Sequence, residues 1–298
     1  MAAAGRIRHV RQHLAGPAPA AGLTYASDPP CYFPVEGLPA EVLEVTKATH
    51  NSKVIKFGLP DGVSLNLPVS SCIMLKAPGL DDGEDMWKPY NPISSNADTG
   101  SFELLIKTYD KPIKRSIIVN EGGACSVFAG NLKPGDTVEF KQLGGNVKKW
   151  QYPFGKSKIT MIACGTGITP MVQALYPLLT TPGDTTKIRL IYSNATPDDI
   201  MLKDKIDRAA AAFPDRLEVT YVVGTTEDAK PAGWTGEVGW IDEDKIKRLA
   251  FPPAADAQVW VCGTEALYKS LAGSRMKDLA EGSALHNLGY TDDMVWRS

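Results

Sequence analysis

Histidine and cysteine are scarce: 4 and 5 respectively in 298 residues. Cys31, Cys72, Cys125, Cys164 and Cys262 are odd in number and scattered, with no C-x-x-C pair. That argues against a disulfide framework or a zinc site and fits free thiols in a reducing compartment. His9 and His13 lie in the amino-terminal tail, so no His/Cys cluster has metal-ligand spacing. No apolar run reaches the ~18 residues that mark a membrane-spanning helix. An excess of charge is missing too. Lys and Arg number 32 against 34 Asp and Glu, and the net charge of -2 gives no reason to expect nucleic acid as a partner. The chain is 43% hydrophobic and 22% charged, as in soluble globular proteins, and long enough for one large domain or two ordinary ones.

Residues 1–27 carry Arg6, Arg8, Arg11, His9 and His13, with no acidic residue before Asp28. Such a start resembles a mitochondrial presequence. The alternative is a disordered tail, because Gly16-Pro17-Ala18-Pro19 would interrupt an amphipathic helix. No continuous apolar stretch follows the arginines, so a secretory signal is not expected. The expected compartment is mitochondrial or cytoplasmic, with the protein soluble or peripheral and monomeric.

From about residue 38 the pattern has period two. Ser101–Tyr109 alternates as a half-buried antiparallel strand does, and shorter runs sit at Glu41–Thr46, Lys53–Phe57, Cys72–Leu75 and Thr137–Phe140. Turn residues such as Lys133-Pro134-Gly135-Asp136 separate them, which predicts a small barrel or sandwich. After about residue 158 strands alternate with helices. Strands are expected at Ile159–Cys164, Lys187–Ser193, Leu217–Val223 and Gln258–Cys262. Helices are expected at Pro170–Leu179, Asp242–Ala250 and Leu267–Ala272, and another is expected to open at Thr196-Pro197-Asp198-Asp199. This alternation predicts a parallel sheet. The fold class is therefore an antiparallel β-barrel followed by an α/β parallel-sheet domain. The divisions are a tail (1–37), the barrel (38–150) and the α/β domain (151–298).

Two segments carry candidate chemistry. Ala163-Cys164-Gly165-Thr166-Gly167-Ile168-Thr169-Pro170-Met171 is a glycine turn between a strand and a helix. Free backbone N–H groups and the helix dipole favour phosphate there, and glycine lets a cofactor approach the backbone. It is not G-x-G-x-x-G, because Pro170 occupies the third position. A purely structural turn remains the alternative, as does a plain helix cap for Thr169. Gly155-Lys156-Ser157 resembles the end of a P-loop, but it precedes a strand and Trp150 stands where glycine is required, so it is set aside. The second segment, Trp87-Lys88-Pro89-Tyr90-Asn91-Pro92-Ile93-Ser94-Ser95, offers a cation, an aromatic ring and amide and hydroxyl groups on an extended stretch.

Lys88–Ser95 resembles the R-x-Y-[ST] flavin motif of the ferredoxin reductase superfamily, in the form R-P-Y-T-P-I-S-S of its cytochrome b5 reductase branch. The likeness continues through Leu105–Tyr109, Gly122-Gly123-Ala124-Cys125-Ser126, Lys133–Phe140, Met161–Met171, Cys262-Gly263 and Leu288–Val295. It runs in order over roughly residues 40–298.

The resemblance implies a flavoenzyme with bound FAD that takes a hydride from NADH and passes single electrons to a haem protein such as cytochrome b5. It implies that Lys88 pairs with the FAD pyrophosphate, that Pro89 and Tyr90 pack against the flavin, and that Asn91 donates to flavin N5. Ile106, Lys107 and Tyr109 would line the FAD. The amides of Gly122, Gly123, Ala124 and Cys125, with the Ser126 hydroxyl, would hold its phosphates. Gly165, Thr166, Thr169 and Pro170 would approach flavin and nicotinamide, and Cys262 and Gly263 would close over the nicotinamide. Asn91, Thr169 and Cys262 are the expected catalytic positions, and no metal is expected. Flavin chemistry suits this set: a flat ring wants an aromatic neighbour, and two phosphates want a cation and amides.

Four positions depart from the family pattern. Lys88 replaces arginine and loses its bidentate fork. Asn91 replaces Ser or Thr. Gly224 stands where NADH-specific relatives place Asp, which leaves NADPH open as a donor. The chain ends Trp296-Arg297-Ser298 instead of on an aromatic residue. These departures keep two alternatives in view: an NADPH-dependent reductase of ferredoxin, quinone or free flavin, and a degenerate reductase-like binding module. Lys141, Lys148, Lys149, Lys156 and Lys158 form a carboxylate-free stretch that would steer an acidic haem protein, with Lys114 and Arg115 as a possible extension, or that would simply be a solvated loop.

Overall fold

Period-two alternation governs the first half of the chain. The computed structural model describes residues 31–78, 85–108, 122–143 and 152–298, and the chain divides into two compact units between Tyr152 and Pro153. In the first unit the strands are β1 (Leu38–Thr49), β2 (Ser52–Gly58), β3 (Ile73–Ala77), β4 (Met86–Tyr90), β5 (Ser101–Lys107) and β6 (Thr137–Gln142), with one described helix, α1 (Gly122–Asn131). They form a 6-stranded sheet in the order β4-β3-β6-β1-β2-β5, with every pair antiparallel. β1 is longer than its alternation suggested. Its first residues pair with β6 and the rest with β2, and a register shift follows Val42.

The core shows that this sheet is rolled. β5 and β6 lie three strand spacings apart, about 14 Å in a flat sheet. Yet the rings of Phe102 on β5 and Phe140 on β6 are 5.2 Å apart, and Phe57 on β2 is 4.8 Å from Phe140. Only curvature toward a barrel brings them together. Phe33 closes the same aromatic cluster.

The second unit alternates strand and helix. It contains β7 (Lys158–Cys164), α2 (Ile168–Thr180), β8 (Lys187–Asn194), α3 (Lys203–Ala212), β9 (Leu217–Val223), β10 (Glu237–Val238), α4 (Glu243–Leu249), β11 (Ala257–Cys262), α5 (Glu265–Leu271), α6 (Ala284–Asn287) and β12 (Val295–Arg297). The sheet order is β10-β9-β8-β7-β11-β12, parallel throughout. The chain runs outward from β7 to β10, then returns to β11 on the other side of β7. The switch point of the sheet is therefore between β7 and β11, and ligands of such sheets bind outside the carboxyl ends of those strands.

One helix differs from expectation. Thr196-Pro197-Asp198-Asp199 does form a capping box, with Asp199 accepting from the Thr196 N–H and hydroxyl. It opens only a single turn. Ile200 and Met201 then bury their side chains, Leu202 adopts φ 60, and α3 begins at Lys203. Burial of two apolar residues outweighed helix continuation. α2 and α5 each start two residues before the expected position, at Ile168 and Glu265, and Asp242 is the side-chain cap of α4.

Candidate functional site

In the first unit, β4 presents its residues to two sides. Lys88 lies opposite Leu75 and Tyr90 opposite Ile73, and both partners are fully buried. Opposed residues of an antiparallel pair share a face, so Lys88 and Tyr90 turn toward the core side. Tyr90 packs against the core cluster, and its hydroxyl pairs with the Ser126 side chain while burial holds its phenol well above the ordinary value. The structure thus brings Tyr90 to the first turn of α1, where Gly122, Gly123, Ala124, Cys125 and Ser126 lie. The Cys125 thiol is buried in the core, so only its backbone can face a ligand.

On the opposite side of β4, Pro89 is exposed. Trp87 lies under Lys141, whose Nζ is 4.1 Å from the ring centroid. Of the lysine-rich stretch, Lys156 donates to the Ala255 carbonyl and Lys158 pairs with Asp256. Lys148 and Lys149 fall outside the described residues, as do Lys114, Arg115 and Tyr109.

Two residues are placed differently from their expected roles. The Asn91 amide nitrogen donates to the Ser70 carbonyl at 3.1 Å and the Ser71 carbonyl at 2.8 Å. Both of its hydrogens are spent, so Asn91 has no side-chain donor left for flavin N5 and can offer only its carbonyl oxygen. It holds a turn in which Ser70 has φ 61. Ile106 is in the core cluster, and its backbone faces Lys53 of β2. Glu103 on the same strand instead bonds outward, its carbonyl to Ile93 N and its N–H to the Ser94 hydroxyl. By alternation Leu105 and Lys107, not Ile106, turn their backbone away from β2, on the side where Pro92 bridges to Leu104.

In the second unit the two segments at the switch point meet. Cys262 at the end of β11 pairs with Ala163 of β7. Gly165–Gly167 forms a turn of 3-10 helix leading into α2. A Cβ on Gly167 would lie 2.1 Å from the Cys262 carbonyl oxygen, and one on Gly263 would lie 2.7 Å from the Cys164 Cβ. These glycines therefore permit backbone-to-backbone contact, a requirement the spacing did not disclose. Gly165 has φ 55, which glycine alone adopts freely, and a Cβ there would meet nothing within 4 Å. The first N–H groups of the turn have no partner within the helix.

Thr166 is exposed and Pro170 buried. The Thr169 hydroxyl donates to the Thr166 carbonyl at 3.0 Å, so toward a ligand it is an acceptor. Tyr192, which drew no attention in the sequence, donates its hydroxyl to Gly165 O at 3.1 Å. Its reach appears only once β7 and β8 are set in register. Gly224 follows β9, and a Cβ there would make ordinary contacts of 3.7 Å. A side chain would fit, so glycine is not enforced by packing.

None of the five cysteines forms a disulfide, and burial raises the Cys31 thiol to about 11. Among the described residues no His, Cys, Asp and Glu group could hold a metal ion, and no helix is long and apolar enough to cross a membrane.

A rolled antiparallel sheet followed by a parallel sheet with a glycine turn at its switch point defines a class, and two family models name it. Residues 39–152 match an oxidoreductase FAD-binding domain and residues 161–272 an oxidoreductase NAD-binding domain. The chain is 35% identical over 272 residues to an NADH-cytochrome b5 reductase-like protein of Arabidopsis thaliana, covering 89% of this chain and 77% of the relative. It is 37% identical over 257 residues to NADH-cytochrome b5 reductase 2 of Yarrowia lipolytica, covering 84% and 81%. The solved cytochrome b5 reductase domain of Ulva prolifera nitrate reductase superposes with a TM-score of 0.75 at 28% identity, covering 89% of this chain and 98% of that one. The chain belongs to the NADH-cytochrome b5 reductase family.

Proposed function

We propose that this protein passes a hydride from NADH to FAD and then single electrons to a haem acceptor, cytochrome b5. Residues 38–150 serve FAD and residues 151–298 serve NADH. The observation that carries the reading is the junction at the switch point, where Gly167 lies against Cys262 beside the bare backbone of Gly165. A flat nicotinamide needs such a side-chain-free surface, and this one lies at the switch point between β7 and β11.

The residues fit both dinucleotides. Lys88 would neutralise the FAD pyrophosphate, Tyr90 would present its ring to the flavin, and the amides of Gly122–Cys125 with the Ser126 hydroxyl would hold the phosphates. Leu105 and Lys107 take the edge contacts first expected of Ile106. Asn91 fixes the Ser70-Ser71 turn and offers a carbonyl oxygen. Thr169 offers an acceptor to a carboxamide, and Gly165 and Thr166 offer N–H groups. Cys262 and Gly263 cover the far side of the nicotinamide. Bound FAD supplies the change from two-electron to one-electron transfer. No side chain need act as acid or base in a hydride step, so the protein positions its ligands and excludes water.

Gly224 favours a second reading for the donor. Position 224 itself carries no carboxylate to repel a ribose phosphate, the first after β9 being Glu227 and Asp228, and NADPH is admitted alongside NADH. A monomer in the mitochondrion or cytoplasm completes the proposal. The test is steady-state reduction of cytochrome b5 with each nicotinamide. Turnover with NADH is expected, with detectable use of NADPH, and Gly224→Asp is expected to suppress the NADPH rate. Failure of cytochrome b5 to accept electrons, while ferredoxin or a quinone does, would overturn the assignment of the acceptor.

A further inference from the structure

Tyr192 sits on β8 between Ala163 of β7 and Tyr221 of β9, and its side chain is fully buried. Phenylalanine would fill the same space, so the hydroxyl needs a reason of its own. It has partners on two sides. It donates to Gly165 O at 3.1 Å, and the Met201 backbone N–H and the Asn194 carboxamide lie beside it. Gly165 O also accepts from Ile168 N–H, so both of its lone pairs are engaged. Each partner adjoins backbone that most residues avoid: Gly165 itself has φ 55, and Leu202, next to Met201, has φ 60. One buried oxygen thus joins the turn after β7 to the segment after β8, the two pieces of chain that rim the carboxyl edge of the sheet.

We infer that Tyr192 is a positioning residue for the nicotinamide dinucleotide: its hydroxyl presets the Gly165–Gly167 turn and the Asn194–Leu202 segment in their ligand-ready arrangement. The inference rests on the reading of this unit as the NADH site. A carbonyl held from behind cannot swing round, so the N–H groups of the turn stay directed at the ligand. Without the hydroxyl the ligand must order the turn itself, and that cost falls on dinucleotide binding. The partners of Tyr192 all belong to the second unit, so the groups proposed to hold the FAD phosphates are not involved.

The experiment is Tyr192→Phe in the full-length, FAD-loaded protein. KM for NADH is expected to rise about fivefold, the typical worth of one hydrogen bond, with kcat and the flavin spectrum held. Tyr290→Phe is the comparison. Its hydroxyl also donates to a carbonyl, that of Phe251, but near the amino end of β7, where Phe251 N bonds to Thr160. That variant should lower the melting temperature without moving KM. A ring-fluorinated tyrosine at 192 keeps the hydroxyl and should keep the wild-type KM.

An unchanged KM in the phenylalanine variant, or a fluorinated variant as impaired as phenylalanine, overturns the inference and leaves the NADH reading standing. A wild-type protein that NADH does not reduce removes that reading instead. Should Tyr192→Phe fail to fold, hydrogen exchange of the wild type decides. An Ile168 amide protected before NAD+ is added supports a preset turn, and one protected only afterwards overturns it.

Discussion

A hydrogen atom at position 167 is what allows the turn after β7 to rest on the backbone of Cys262. Gly167→Ala would put a methyl group 2.1 Å from the Cys262 carbonyl oxygen, so one of the two segments must move. A displacement near 1 Å at a reacting centre costs roughly 100-fold. The expected outcome is loss of that order in the rate of reduction by NADH, with FAD content unchanged, read by stopped-flow absorbance. The glycines were legible in the sequence, but the reason for Gly167 was not. Its partner is Cys262, about a hundred residues away, and only the pairing of β7 with β11 brings them together. Asn91 shows the same limit. Its place in the motif was plain, while its bonds to the Ser70 and Ser71 carbonyls depend on a turn some twenty residues earlier. Asn91→Ala leaves two carbonyls without their donor. It should cost about 1–3 kcal/mol in urea unfolding, a loss that a role confined to the flavin ring would not produce.

At the scale of elements, most strands were visible because alternation and turn residues mark them. The exceptions were short or edge pieces. β10 has two residues and β12 three, too few for a period to show. β10 is held by contacts from outside its own strand. Arg248 on α4 donates from both terminal nitrogens to the Glu237 carboxylate, at 3.1 and 3.0 Å. That pairing lowers the Glu237 pKa, its largest cause being the Arg248 hydrogen bonds. A depressed carboxyl pKa gives stability that is present above the unfolded value and is lost as pH falls through the folded one. Glu237→Gln should therefore melt earlier than wild type at neutral pH, and the difference should close on acidification below about pH 4. A gap that stayed constant with pH would show that the charge is not what anchors β10. The helix expected to open at Thr196 failed for a reason of the same scale. Local capping signals were correct, but burial of Ile200 and Met201 stopped the helix after one turn.

At the scale of the molecule, the change of grammar near residue 150 made the order of the two sheets legible, since alternating strands cannot sustain a parallel sheet and strand–helix alternation seldom builds anything else. Curvature of the first sheet was less legible, because it is set by aromatic residues on strands far apart in sequence. The roles proposed for Gly165, Thr166 and Cys262-Gly263 rest on the family resemblance together with the switch point. Those proposed for Tyr192, Leu105 and the Ser70-Ser71 turn rest on strand register. The account as a whole predicts a yellow protein. Anaerobic titration of the purified protein with NADH is the most direct test of it. One equivalent should bleach the flavin absorbance, and oxidised cytochrome b5 added afterwards should restore it. A colourless protein that takes up no FAD, or a yellow one that NADH leaves unchanged, would contradict the account.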